Sequence, residues 1–140
     1  PTDTEMQKTV TFLMFANEQC GRAMEAVGFY TSLFPGSAVK EVEYFQAGEP
    51  GGNEGDVKQV IFTIAGQEYR AMDSAMGHRF SFTPSMSIFV NCESEEETER
   101  LFRELSEGGA VMMPLDEYAF SKKFAWIADR FGVSWQLNFA

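Results

Sequence analysis

Few side chains in this sequence could do chemistry, and each can be weighed singly. His78 is the only histidine, and histidine alone has an ordinary pKa near neutrality. Phe80 and Phe82 alternate beside it. Such a group can hydrogen-bond a ligand or pass a proton; a surface loop histidine is the plainer reading, because no partner is visible in sequence. Cys20 and Cys92 belong to no CxxC pattern and have no evident base beside them, so they read as free thiols in a reducing compartment, not nucleophiles. Asp73 lies near Arg70 and Arg79 and reads as half of a surface ion pair, with a base or ligand role as the alternative. Trp135 and Gln136 adjoin on a predicted strand and therefore point to opposite faces. The indole belongs to the core, and the amide can donate and accept hydrogen bonds on the other side. No Ser-His-Asp spacing is recognisable. Gly51-Gly52-Asn53-Glu54-Gly55 sits in an acidic stretch between two strands and reads as a flexible hairpin loop, not a phosphate cradle.

These groups must be positioned by the elements around them. Lys8 to Phe15 alternates as a strand, with Val10, Phe12 and Met14 on one side and Thr9, Thr11, Leu13 and Phe15 on the other. A helix follows: Ala23, Ala26, Val27 and Tyr30 fall at helical spacing, Leu33 and Phe34 extend the stripe, and Pro35-Gly36 ends it. Gly28 inside that helix suggests close packing against a sheet. Strands are expected at Ser37 to Gln46, Val57 to Ala65 and Glu68 to Asp73, with a turn at Gly66-Gln67. The order then restarts after a connector, Ser74 to Thr83. Met86 to Cys92 is a strand, and Ser94-Glu95-Glu96-Glu97 is a capping box. Thr98, Leu101, Phe102 and Leu105 form the helical stripe, and Gly108-Gly109 stops it. A short strand at Ala110 to Met113, a loop over Pro114 to Ser121, and a hairpin of Lys123 to Asp129 with Val133 to Phe139 complete the set. The order β-α-β-β-β thus occurs twice, in modules 1–79 and 80–140 that form one compact structural unit.

Composition narrows the function classes. The chain has 140 residues, 44% of them hydrophobic, with 14 Phe and 8 Met, enough for a packed aromatic core or an apolar cleft. A formal net charge of −10 argues against nucleic acid and anionic membrane surfaces, which need clustered Lys and Arg. No stretch approaches the roughly 20 apolar residues of a membrane span. The opening PTDTEMQKTV carries no charged-then-apolar leader, and a start at Pro1 suggests that an initiator residue has been removed or left out. A cytoplasmic location is expected.

Phe124 to Gln136 (FAWIADRFGVSWQ) resembles the closing hairpin of PhnB-like proteins in the vicinal oxygen chelate, or glyoxalase/bleomycin-resistance, superfamily. The branch carries the label 3-demethylubiquinone-9 3-methyltransferase. Phe29-Tyr30 with Leu33-Phe34-Pro35, Gly77 to Thr83, and Val90 to Glu93 agree with it, in the right order along the chain. The resemblance implies an α+β fold: paired βαβββ modules forming a curled mixed sheet around a cleft. It also implies a homodimer. In the family's metalloenzymes, His and Glu on the first and last strand of each module hold a divalent ion. Those positions correspond here to Thr9 or Thr11, Asp73, Ser85 or Ser87, and Gln136. None is His or Glu, so no metal is expected. The methyltransferase label finds no Rossmann-like unit to support it, and no cofactor is expected.

The expected function is binding of a small organic molecule without a metal. The candidate ligand-binding residues are His78, Phe80, Phe82, Gln136, Asp73, Ser87 and Thr11. The alternative is an enzyme of unknown reaction on a small oxygenated substrate, using His78, Asp73 or Gln136; a metal-dependent version with a shifted site stands behind both.

Overall fold

The computed structural model describes residues 6–140; the start of the N-terminal segment lies outside them. The chain divides into two compact units, one ending at Ser81 and the other spanning Phe82–Ala140.

In the first unit, β1 (Thr11–Ala16) leads through a single 3-10 turn at Asn17–Gln19 into α1 (Ala23–Leu33), followed by β2 (Ala38–Tyr44), β3 (Val57–Ile64) and β4 (Gln67–Ser74). The sheet order is β1-β4-β3-β2. β1 runs parallel to β4, with Leu13 opposite Ala71 and Phe15 opposite Asp73. The other pairs are antiparallel. Period-two alternation buries Leu13 and Phe15 of β1 and Val60, Phe62 and Ile64 of β3, while Ala23, Ala26, Val27, Tyr30 and Leu33 of α1 are buried at helical spacing. α1 packs on β2, β3 and β4.

The second unit repeats this plan: β5 (Ser87–Asn91), α2 (Glu95–Ser106), β6 (Ala110–Tyr118), β7 (Ser121–Ala128) and β8 (Ser134–Phe139), in order β5-β8-β7-β6 with β5 and β8 parallel. α2 packs on β6, β7 and β8. Beneath it lie Ala125, Ile127, Trp135 and Leu137, all fully buried. The capping box is formed: Glu97 N–H donates to Ser94 Oγ at 3.0 Å. Its reciprocal half is shifted by one residue, because the Glu97 carboxylate accepts from Glu93 N–H.

Three expectations need correction. The stretch expected to be a loop after Met113 is mostly strand, since β6 continues to Tyr118. Pro114 is tolerated there because β6 is an edge strand and its pairing with β7 is irregular between Met113 and Asp116. Gly28 does not pack against the sheet. It is exposed, and a Cβ placed on it would meet nothing within 4 Å. The Gly51–Gly55 loop is pinned rather than flexible. Phe45 N–H donates to Asp56 O, Gly55 N–H to Phe45 O, and Ala75 N–H to Gly51 O. Phe45 is buried under this loop, and a Cβ on Gly52 would fall inside its ring.

Candidate functional site

The face of the second sheet away from α2 gathers a polar row. β8 alternates, so Ser134 and Gln136 share a face while Trp135 and Leu137 take the other. Pairing sets Ser87 opposite Ser134 and Phe89 opposite Gln136 on one side, and Trp126 opposite Gln136 on the other. Four side chains then join. The Trp126 indole N–H donates to Ser134 Oγ at 2.9 Å. Ser134 and Ser87 hydroxyls lie 2.7 Å apart. Gln136 Nε2 donates to Ser87 Oγ at 3.3 Å. Ser134 is buried, whereas Ser87, Trp126 and Gln136 are half-buried, so the relay runs from the interior toward the surface.

An aromatic wall stands beside it. Phe89 and Phe124 rings lie 6.5 Å apart. Phe120 meets Phe124 edge-on at 5.0 Å, and Tyr118 stacks on Phe120 at 5.7 Å. Phe89 and Phe120 are 52% and 64% exposed, an unusual state for large apolar rings.

The sequence candidates thus divide. Ser87 and Gln136 are bonded to each other. His78 and Phe80 also meet, with rings 4.7 Å apart, and His78 Nε2 lies 3.0 Å from Ser74 Oγ. Their segment is fixed by Asn17, whose Oδ1 accepts from His78 N–H and whose Nδ2 donates to Phe80 O. Phe82 belongs to the other unit. It lies against the Gly132 turn, its Cβ 3.6 Å from where a Gly132 side chain would begin. Thr11 falls on the same face of β1 as the buried Leu13 and Phe15, but at the start of the strand it is itself exposed.

Asp73 is not a surface ion-pair partner. It is 1% exposed and accepts three backbone N–H groups: Gly21 at 2.8 Å, Ala23 at 3.0 Å and Val57 at 2.9 Å. Arg70 pairs with Glu68 instead. The reason is topological: Phe15 opposite Asp73 puts the carboxylate on the covered face, at the start of α1. Burial pushes its carboxyl above its ordinary value, against the three donors, which pull it down.

Both thiols are free. Burial first, then the Asp56 carboxylate that accepts from Cys20 Sγ, raises the Cys20 thiol to about 11. Cys92 is also raised by burial. Neither supplies a thiolate at neutral pH.

Ser134 and Trp126 were missed in the sequence. The spacing of Ser134 and Gln136 puts both on one face, but Trp126 joins them only through a strand register that spacing cannot give. Asn17 was equally hidden; its backbone lies at φ +57, a conformation that asparagine adopts more readily than most residues.

A divalent ion does not fit these residues. Asp73 has its oxygens committed to backbone donors, Gln136 and Ser87 carry no charge, and among the described residues no three His, Cys, Asp or Glu side chains cluster. A methyl-transfer cofactor with an anionic group finds no helix N-terminus to hold it. α1 is met by the Asp73 carboxylate, and α2 opens with Ser94 and three glutamates. Among the described residues, no helix is long and apolar enough to cross a membrane.

Known proteins share this architecture. A PhnB protein from Bacillus cereus, titled a 3-demethylubiquinone-9 3-methyltransferase, is 48% identical over 96% of this chain and 100% of its own, with TM-score 0.89. Protein PA1353 from Pseudomonas aeruginosa is 28% identical over 95% and 97%, with TM-score 0.80. A glyoxalase-related enzyme from Fulvimarina pelagi is 18% identical over 96% and 89%, with TM-score 0.54, and shares the fold. No curated protein matches the chain. The model of the 3-demethylubiquinone-9 3-methyltransferase family matches residues 7–138, and the chain, an α+β protein of two βαβββ modules with glyoxalase-type neighbours, belongs to that PhnB-like family.

Proposed function

We propose that the chain binds a small organic molecule on the face of the second sheet away from α2, without a metal ion or cofactor. The observation that carries this is the Trp126–Ser134–Ser87–Gln136 relay set beside two exposed phenylalanine rings. Small-molecule sites are mostly apolar surfaces with a few converging polar groups, and this face has that composition. His78 and Phe80 are offered as a second ligand-contacting pair in the first unit, and Phe82, beside Gly132, as a further apolar contact. Asp73 keeps a structural role, and the exposed Thr11, in the first unit, is not part of this site. The protein works as a homodimer in a reducing compartment, its exposed edge strands covered by a second copy. Sedimentation as a single-chain species at micromolar concentration would remove the dimer.

One observation favours catalysis instead: the Ser74–His78 contact, a hydroxyl and an imidazole at 3.0 Å. Ser74 is only 4% exposed, and no carboxylate bonds the imidazole among the described residues, so the pair lacks the access and orientation that an activated nucleophile needs.

The test is nuclear magnetic resonance titration with a library of small oxygenated aromatics, comparing wild type with Gln136→Leu. Binding shifts at Ser87, Phe89 and the Trp126 indole, weakened in the variant, support the reading. Shifts confined to other residues, or stoichiometric zinc, nickel, iron or manganese in protein purified without chelator, overturn it.

A further inference from the structure

On the site just proposed, and resting on that reading, we infer that the ligand is an uncharged planar aromatic molecule whose oxygen accepts a hydrogen bond from the Ser87 hydroxyl. The inference comes from counting protons in the relay. A hydroxyl has one proton and two lone pairs. Trp126 N–H fills one lone pair of Ser134 Oγ, and Gln136 N–H fills one of Ser87 Oγ. A single proton spans the 2.7 Å between the two hydroxyls, so one hydroxyl proton is left over. If Ser87 gave the bridging proton, the spare one would sit on Ser134, which is 1% exposed, and an unmatched donor there is costly. If Ser134 gives it, Ser87 accepts twice and keeps its own proton on the half-buried side. The relay thereby fixes Ser87 as a donor, with the second Gln136 N–H beside it. Two neutral donors together suit one acceptor oxygen such as a ketone or ether.

Charge selects in the same direction. β5 and β8, the strands that carry Ser87, Ser134 and Gln136, hold no charged residue at all. On β7, Lys123 is turned to Glu95 and Glu99 of α2, and the exposed Lys122 shares the face of Phe124 and Trp126 but lies four residues along the strand from Trp126. On β6, Asp116 is exposed and lies opposite Phe124. Among the described residues of this unit's strands, no cation stands at the relay to balance a carboxylate or phosphate, and a desolvated unpaired anion is strongly disfavoured. The exposed rings of Phe89 and Phe120 favour an aromatic body, because offset and edge-on ring pairs add to plain area burial.

Three isosteric probes test this by resonance titration: 2-acetylnaphthalene, a neutral ketone; 2-isopropylnaphthalene, which lacks an acceptor; and 2-naphthoate, an anion. The ketone is expected to bind about five- to ten-fold tighter than the hydrocarbon, the value of one hydrogen bond, with the naphthoate weakest. Ser87→Ala should bring the ketone down to the hydrocarbon's affinity and leave the hydrocarbon unchanged. Ser87→Cys keeps the volume with a poor donor and should do the same, which covers the case of an unstable alanine variant. Tightest binding by the naphthoate, or an unchanged ketone preference in both variants, overturns the inference while the site stands. Failure of all three probes to shift Ser87, Phe89 and Trp126 overturns the site, and the inference with it.

Discussion

The two modules share one topology but satisfy the start of their helices in opposite ways. α2 is capped locally, by Ser94 three residues before Glu97. α1 follows Arg22, whose side chain makes no cap. Its first N–H, on Ala23, is met from far along the chain by the Asp73 carboxylate at the end of β4, which also takes the N–H of Gly21 just before the helix. A local cap adds a modest increment to a helix that tertiary packing already holds. A remote one ties a helix, a loop and a strand together, because the same carboxylate also takes Val57 N–H. The comparison shows how one carboxylate that looks reactive in sequence becomes a structural joint.

The largest expected effect follows directly. Asp73→Ala leaves three backbone donors unmatched, two of them in buried surroundings, and should cost about 3–5 kcal/mol in chemical denaturation. A loss below about 1 kcal/mol would mean that water replaces the carboxylate and that the contrast between the modules is false. Ser94→Ala should cost about 1 kcal/mol, the ordinary value of a local cap. Equal losses in the two variants would erase the distinction.

Gly28→Ala sharpens the same contrast from inside α1. The position is exposed and has open space around it, so the substitution should stabilise by about 0.5–1 kcal/mol, seen as a higher Tm. A lower Tm would restore a packing role for that glycine. The smallest effect is read by reactivity at the entrance to α1. Wild-type Cys20 alkylation should rise only as pH approaches about 11. Asp56→Asn removes the negative charge that stabilises the protonated thiol and leaves only a weaker, neutral acceptor, so the midpoint should move down. A midpoint that stays in place would assign the shift to burial alone.

What was legible in the sequence was what repeats locally. Alternation gave the strands, helical spacing gave α1 and α2, and Ser94 to Glu97 announced its own cap. The order of elements gave the paired βαβββ fold. Local rules failed where partners are distant. Asp73 beside two arginines looked like an ion pair, because neighbours in sequence were visible and Gly21, Ala23 and Val57 were not. The glycine cluster looked flexible because the buried ring of Phe45 beneath it leaves no periodic signal. Gln136 and Ser87 could be named as candidates, but not the hydroxyl of Ser134 or the indole of Trp126 between and beside them. Those depend on which residues face each other across β5, β8 and β7, and a slip of one residue would have turned each to the opposite face.

The parallel ladders have a consequence for the order of assembly. In each module the first strand pairs with the last, β1 with β4 and β5 with β8, so each module closes on itself only after everything between has been laid down. The antiparallel hairpins β3–β4 and β7–β8 join across short turns and need little loop closure. β1 and β5 must return across a whole helix and two strands before their contacts offset the entropy of that closure. Each first strand therefore waits, unpaired, for a template that its own module has yet to build. Its backbone edge is unpaired meanwhile, and its faces carry rings that stay exposed even after folding, Phe12 on β1 and Phe89 on β5, which makes that interval the stage at which the chain is most exposed to pairing with a neighbour instead of with itself.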